Sequence, residues 1–262
     1  MSDYDRNARA QWGTSVGRAG ATEIDQGLRS YMLGVYNHMT LGLAVTGLVA
    51  YGAVMLTTAH SSADTAGMFG RIPLNSLGVA LYGSPLRWLV MLAPLAFVFV
   101  FSFNQRMSAA TARNMFVAFA ALMGLSLSTL LLVFTGESVA RAFFITAAAF
   151  GGLSLYGYTT RRDLSAFGSF MVMGLFGLII ASLVNLFVQS SAMQFGLSIL
   201  SVLIFAGLTA WDTQKIREMY YVVGSDREAA AKSSVYGALA LYLDFINIFQ
   251  SLLYLTGGSR NN

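Results

Sequence analysis

The sequence predicts an all-α integral membrane protein with seven transmembrane helices. Of its 262 residues 56% are hydrophobic and only 11% are charged, whereas a soluble domain carries about 25% charged residues. Seven apolar stretches approach or exceed the roughly 20 residues that a helix needs to cross a bilayer. We place them at 31–57, 86–103, 112–134, 139–158, 165–188, 193–214 and 235–256.

Polar segments flank this apolar region and complete the predicted domain organisation. Residues 1–30 are polar and of mixed charge, which predicts a flexible cytoplasmic tail. They contain no apolar core of a cleavable signal peptide, so the first span is predicted to be an uncleaved anchor. The transmembrane domain is predicted over 31–256, followed by a short external tail over 257–262.

Two connections between the spans are informative. The longest, residues 58–85, is predicted to lie outside, and its LNSLGVALY portion either enters the membrane interface or forms an ordinary exposed loop. The fifth and sixth spans are joined by only a few polar residues around Gln189–Ala192. Such a short connection predicts an antiparallel pair of helices.

The distribution of basic residues predicts the orientation. Twelve of the 16 lysines and arginines fall in the N-terminal segment and in every second connection after it, and four fall on the opposite side. Because cytoplasmic segments carry the excess of lysine and arginine, the N-terminus is predicted to be cytoplasmic and the C-terminus external. The same distribution explains the basic pI of 9.4 without a nucleic-acid partner.

Two aspartates interrupt the last two apolar helices. Asp212 lies near the cytoplasmic end of the sixth span, and Asp244 lies about nine residues into the seventh, about 13 Å deep. A carboxylate in hydrocarbon costs several kcal/mol and usually faces a partner or a water-filled path. Because the two helices are consecutive and antiparallel, both carboxylates fall in the cytoplasmic half, where contact between them is plausible.

The seventh span carries a stripe of small and polar residues on one helical face. The stripe consists of Gly237, Ala240, Asp244, Asn247 and Ser251. It places Asn247 and Ser251 as candidate pore-lining residues beside the aspartate. For Asn247 the alternative, a hydrogen bond that only holds helices together, is the more usual role.

An aspartate pair within hydrogen-bonding distance would share one proton and titrate in two coupled steps. That property predicts a pH sensor that ties the sixth helix to the seventh. The alternative is an ion pair between Asp212 and Lys215 on the same helix. Two carboxylates also suit Ca²⁺, but they fall short of the six to eight oxygens of a tight site. Asp212 and Asp244 are therefore predicted to bind Ca²⁺ weakly and transiently, as a permeant ion.

Several classes of protein are excluded. The chain has no cysteine and only two histidines, which argues against disulfides and a histidine metal site. No hydrolase motif is present, no lysine lies inside the last helix for a retinal Schiff base, and the WDTQ and LDFIN contexts differ from those of paired-aspartate proteases. We expect neither enzymatic activity nor a cofactor.

Five stretches of the sequence resemble the Bax inhibitor-1 family in its bacterial branch. They are YMLGVYNHMTLGLAVTGLVAYG, FAALMGLSLS, SLYGYTTRRDLSAFGSFMVMGL, AGLTAWDTQKI and ALYLDFINIFQSLLYL. The resemblance implies seven helices with the seventh surrounded by the other six, in a multi-pass protein of the bacterial inner membrane. It also implies a pH-sensitive calcium leak channel whose two-aspartate sensor corresponds to Asp212 and Asp244.

The resemblance leaves one difference and two alternatives. Part of the family pairs an arginine in the second span with one of the acids, but this chain has only Arg87 and Arg106 at the edges of that span. A non-transporting regulator that binds a membrane-bound protease is the main alternative function. A proton- or ion-coupled transporter is the second, and it predicts solute specificity and saturable turnover.

Overall fold

Helices form nearly all of the molecule. The computed structural model describes the backbone of residues 3–103 and 107–258 and the side chains of residues 26–99 and 107–258. The helices are α1 (Asp3–Thr57), α2 (Ser76–Gly83), α3 (Leu86–Phe103), α4 (Ala109–Val133), α5 (Gly136–Thr159), α6 (Ser165–Val188), α7 (Ser191–Val223) and α8 (Arg227–Thr256). A short antiparallel hairpin, β1 (Gly67–Phe69) and β2 (Ile72–Leu74), lies between α1 and α2.

Six helices of the described chain are long and apolar enough to cross a membrane by themselves, namely α1 and α4 to α8. The second predicted span coincides with α3, which passes the same test only together with α2. The two helices meet at a bend of 61°. Pro85 explains the break, because the residue before a proline avoids the helical conformation and Ser84 is extended. An all-α membrane protein is confirmed, with six unbroken spans and one bent pair.

Several helices extend beyond the predicted spans. α7 continues nine residues past the predicted end at 214, and α8 begins eight residues before the predicted start at 235. Asp226 caps α8 by accepting hydrogen bonds from the backbone N–H groups of Glu228 and Ala229. The predicted boundary at residue 30 lies inside α1, and residues 259–262 of the predicted external tail lie outside the described residues. Hydropathy marks only the part of a helix that lies in hydrocarbon, so these polar extensions were missed.

The last helix occupies the middle of the bundle. In its most apolar 18-residue window, 56% of the residues are buried, the highest share among the six unbroken spans. α8 packs mainly against α1, α4, α5 and α7, whereas α3 packs on α4, and α6 packs on α7. The sequence resemblance implied that six helices surround the last one, but in the structure four helices make most of the contacts with α8. In α6 only 6% of the corresponding window is buried, because this helix is apolar on all sides and faces lipid.

Glycines allow two pairs of helices to approach closely. A Cβ at Gly124 would lie 2.5 Å from the Thr46 carbonyl oxygen, where α4 meets α1. A Cβ at Gly157 would lie 2.1 Å from the Ala210 carbonyl oxygen, where α5 meets α7. Both distances are shorter than any normal contact, so only glycine fits. The α5–α7 contact fixes the turn of α7 that carries Asp212.

The connection between α1 and α3 forms an ordered cap. Its Tyr82 is buried, and the Tyr82 hydroxyl hydrogen-bonds to the Ser128 hydroxyl of α4 over 2.8 Å. Leu74 and Leu132 complete a small apolar cluster around this ring. The LNSLGVALY segment therefore packs on the bundle rather than extending as an exposed loop.

Replacing Asn75 with alanine is expected to loosen this cap without unfolding the bundle. The Asn75 side chain donates to the Leu56 carbonyl at the end of α1 and accepts from the backbone N–H of Gly78 in α2. Losing such a capping side chain costs about 1 kcal/mol. We expect faster hydrogen exchange of the amides in 67–83 than in a Ser61→Ala control, whose lost hydrogen bond is exposed. Equal exchange in the two variants would show that Asn75 does not hold the cap.

Candidate functional site

The two aspartates meet between α7 and α8. Asp244 is 3% exposed and Asp212 is half-buried. Their carboxyl groups lie close enough for each to act on the charge of the other. Oδ2 of Asp244 is buried and makes no hydrogen bond within the described part of the chain. The structure thus brings together the two residues that the sequence singled out, and it leaves one buried carboxyl oxygen without a protein partner.

Lys215 does not form an ion pair with Asp212. No distance of 4.0 Å or less joins their charged groups in the described structure. The Lys215 ammonium group lies instead over the ring of Trp211, 4.9 Å from its centroid, an attractive cation–π arrangement. The geometry therefore favours the aspartate pair over the alternative ion pair, although the Lys215 charge still acts on Asp212.

Of the two arginines considered as counter-charges, Arg87 lies away from the pair. Arg87 is at the start of α3, 5.2 Å from the centroid of the Trp88 ring, and Arg106 is outside the described residues. Arg217 of α7 donates to the carbonyl groups of Tyr158 and Thr160 at the end of α5. The described cation that acts on Asp212 through its charge is Lys215, three residues along the same helix.

A small cavity leads to Asp212 from the membrane face that carries Arg29, Arg161, Arg162 and Lys215, called the basic face below. Its volume is about 170 Å³. Tyr31 borders it, donating to or accepting from the Ser233 hydroxyl over 2.9 Å and lying 5.5 Å from the Tyr220 ring. The lining residues are Tyr31, Asp212, Lys215, Ile216, Met219, Ser233, Tyr236, Gly237 and Ala240. The cavity reaches Asp212 but not Asp244.

A second polar cavity lies on the other side of Asp244, between α6, α7 and α8. Its volume is about 370 Å³, and both predicted pore-lining residues, Asn247 and Ser251, line it. Ser251 donates a hydrogen bond to Ser201 over 2.7 Å, and the Asn247 amide donates to the Leu243 carbonyl over 2.8 Å. Asn247 thus bonds to its own helix rather than across helices, and its amide oxygen is left for other partners.

Asp244 separates the two cavities. Along α8 it is four residues from Ala240 of the first cavity and three from Asn247 of the second. At 1.5 Å per residue these separations are about 6 and 4.5 Å. Leu208 and Ile248, each four residues from one of the two aspartates along its helix, are buried in one apolar cluster. The arrangement is a buried carboxyl group between two polar cavities.

A series of hydrogen-bonded hydroxyl groups connects three helices beside the aspartate pair. These hydrogen bonds were not predicted from the sequence. The Tyr36 hydroxyl of α1 bonds to Ser154 of α5 over 2.6 Å, and Ser154 bonds to Thr213 of α7 over 3.0 Å. Thr213 donates onward to the Thr209 carbonyl over 2.7 Å. Serine and threonine are common in membrane helices, so nothing in their spacing distinguishes these three. Their importance comes from the position of Thr213 next to Asp212.

The site is not a high-affinity metal centre by composition. No group of three or more histidine, cysteine, aspartate or glutamate side chains is found in the residues searched, which are those the structure describes. Two carboxyl groups with neighbouring amide and hydroxyl oxygens supply too few ligands for tight Ca²⁺ binding.

Comparison with known proteins finds one matching family and several similar bacterial proteins. The family described as "Inhibitor of apoptosis-promoting Bax1" matches residues 28–261. An uncharacterized protein of Caulobacter vibrioides is 45% identical over 238 residues, covering 90% of this chain and 92% of the relative. The protein RP147 of Rickettsia prowazekii is 46% identical over 238 residues, covering 91% and 93%. Inner membrane protein YbhL of Escherichia coli K12 is 41% identical over 236 residues, covering 89% and 94%.

Proposed function

Since the chain belongs to the Bax inhibitor-1 family, we propose that it is a proton-gated cation leak channel that passes Ca²⁺. The observation that carries the proposal is the buried Asp244, paired with Asp212 and set between two polar cavities. A carboxyl group at this depth is expensive and is retained where it serves an ion or proton path. The two cavities form the ends of such a path, and the path is closed between them at Asp244.

The gate is the bond between the two carboxyl groups. With one shared proton, Asp212 and Asp244 hold α7 and α8 together. When that proton leaves, two negative charges face each other in a site of low dielectric constant, and their repulsion separates the helices. The same two charges attract a cation into the gap. The flux of Ca²⁺ therefore rises as pH rises.

The proposed topology follows from the same residues. Taking the bent pair of α2 and α3 as one crossing gives seven crossings. The excess of lysine and arginine then places the basic face in the cytoplasm, with the N-terminus inside and the C-terminus outside. The likeness to an inner membrane protein of Escherichia coli supports the bacterial inner membrane as the location.

The test is Ca²⁺ flux into proteoliposomes across pH 6 to 8. We expect wild-type flux above that of empty vesicles and a clear rise with pH, and we expect Asp212→Asn to flatten that rise. Asp163→Asn is the matched control. Asp163 is exposed, and hydrogen bonds from the Ser165 side chain and backbone N–H hold its pKa below the usual value, so it stays ionised throughout. Folded, inserted protein without flux at any pH would favour the alternative of a non-transporting regulator, for example of a membrane protease.

Filling the small cavity that reaches Asp212 is expected to reduce Ca²⁺ flux without changing its pH dependence. Ala240 lines that cavity one turn from Asp244 and is half-buried. Three further carbon atoms in Ala240→Leu occupy much of a space of about 170 Å³. We expect severalfold lower flux at every pH with the same midpoint, and Ala231→Leu, an exposed site on the same helix, serves as the control. Unchanged flux in Ala240→Leu would place the ion path elsewhere.

A further inference from the structure

A wide cleft separates α1 from α5 at the basic face. Its volume is about 830 Å³. It is lined by Arg29, Met32, Leu33, Tyr36, Phe150, Gly151, Ser154, Leu155 and Tyr158. The proposed ion path does not use this cleft, which has one cationic side chain, apolar walls and a few hydroxyl groups.

Arg29 stands at the mouth of the cleft. Its side chain is exposed and makes no hydrogen bond or ion pair within the part of the chain that the structure describes. Arg161 and Arg162 follow the end of α5 and are exposed on the same face. The mouth therefore attracts an anion.

The interior of the cleft fits a hydrocarbon chain. Met32 and Phe150 form buried walls, and Leu33 and Leu155 are 52% and 63% exposed at its open side, toward the lipid. The cleft has open space at Gly151, where a Cβ would meet no atom within 4 Å. From Arg29 to Tyr36 the cleft extends seven residues along α1, about 10 Å. The bonded hydroxyl groups of Tyr36 and Ser154 line it at this depth, and Gly151 and Phe150 line it about one helical turn further from Arg29.

We propose that this cleft binds an anionic phospholipid of the basic-face leaflet. The Arg29 guanidinium contacts the phosphate, the Tyr158 and Ser154 hydroxyls lie at the level of the ester groups, and an acyl chain fills the space over Gly151. Basic pockets between transmembrane helices on the cytoplasmic side recognise lipid headgroups in this way. The lateral opening between exposed leucines selects a lipid over a free phosphate, since a soluble anion would leave the apolar walls uncovered.

Native mass spectrometry of the detergent-solubilised full chain, titrated with phosphatidylglycerol, tests the proposal. An arginine that contacts the headgroup of a bound anionic lipid adds about a fivefold gain in affinity. We therefore expect Arg29→Gln to weaken binding about fivefold and Arg113→Gln, an exposed arginine of the basic face outside the cleft, to change it little. Gly151→Leu should abolish this binding by filling the cleft. Gly152→Leu should not, because Gly152 also has open space but does not line the cleft.

Two results would overturn the proposal. The first is wild-type affinity for phosphatidylglycerol in both Arg29→Gln and Gly151→Leu, with unchanged melting temperatures. The second is displacement of the lipid by soluble glycerol phosphate at an equal concentration, which would make the site one for a free phosphate. Preference for phosphatidylglycerol over phosphatidylcholine, lost in Arg29→Gln, would support it.

Discussion

Asp244→Asn is expected to abolish the pH dependence of Ca²⁺ flux and to leave the flux low. A gate controlled by one proton changes its deprotonated fraction by up to about 100-fold over two pH units. Asparagine cannot ionise, yet its amide can still donate to the Asp212 carboxylate, so α7 and α8 stay tied at every pH. The measurement is Ca²⁺ entry into proteoliposomes at pH 6 and pH 8, where the ratio of the two rates should fall to about one.

The control for this variant removes one carboxylate, as Asp244→Asn does, but at a different position. Asp163→Asn removes a carboxylate from an exposed position on the basic face and should retain the wild-type ratio of rates. Asn247→Asp provides a complementary test, because it adds a carboxylate three residues from Asp244 at the second cavity. We expect it to raise flux at pH 8. A full wild-type pH response in Asp244→Asn would contradict the proposed gate.

Gly157→Ala is expected to destabilise the protein more than any other single methyl group considered. The new Cβ would lie 2.1 Å from the Ala210 carbonyl oxygen and 2.9 Å from its carbonyl carbon. Neither atom belongs to a flexible side chain, so the whole α5–α7 interface must open. Overpacking of this kind costs about 1–3 kcal/mol or more. The measurement is the melting temperature of the purified protein in detergent.

A matched substitution on the same helix isolates the cause. Gly152→Ala adds the same methyl group five residues earlier, where no atom lies within 4 Å. It should match or slightly exceed wild-type stability because alanine favours the helix more than glycine does. Since Gly157 packs beside the turn that carries Asp212, its variant should also alter the pH response in flux. Equal melting temperatures for the two variants would show that α5 and α7 do not pack this closely.

Much of the architecture and the central pair could be predicted from the sequence. Six spans are unbroken helices, because a bilayer requires about 20 apolar residues in a row and such runs are read without tertiary information. Asp212 and Asp244 could also be recognised without tertiary information, since a carboxyl group in hydrocarbon is costly in free energy and usually functional. Contact between them was only plausible from two consecutive antiparallel helices, and the structure brings the two side chains together.

The remaining features depend on which helices are neighbours, and no local pattern encodes that. The second span was predicted over 86–103 and is the continuous helix α3, but only the structure shows that α2 precedes it at a bend beside Pro85, in the cap anchored by Tyr82. Ser154 and Thr213 look like ordinary small polar residues until α5 and α7 bring them within 3.0 Å.

Sequence alone thus determined that this is a multi-pass membrane protein with an aspartate in each of its last two helices. The reason is that the free-energy cost of a polar group in hydrocarbon can be judged for each residue from its place in an apolar run. Only the tertiary structure decided what lies beside that pair. The two cavities around Asp244 and the cleft below Arg29 are spaces between helices, and their shapes depend on side chains from two or three of them at once.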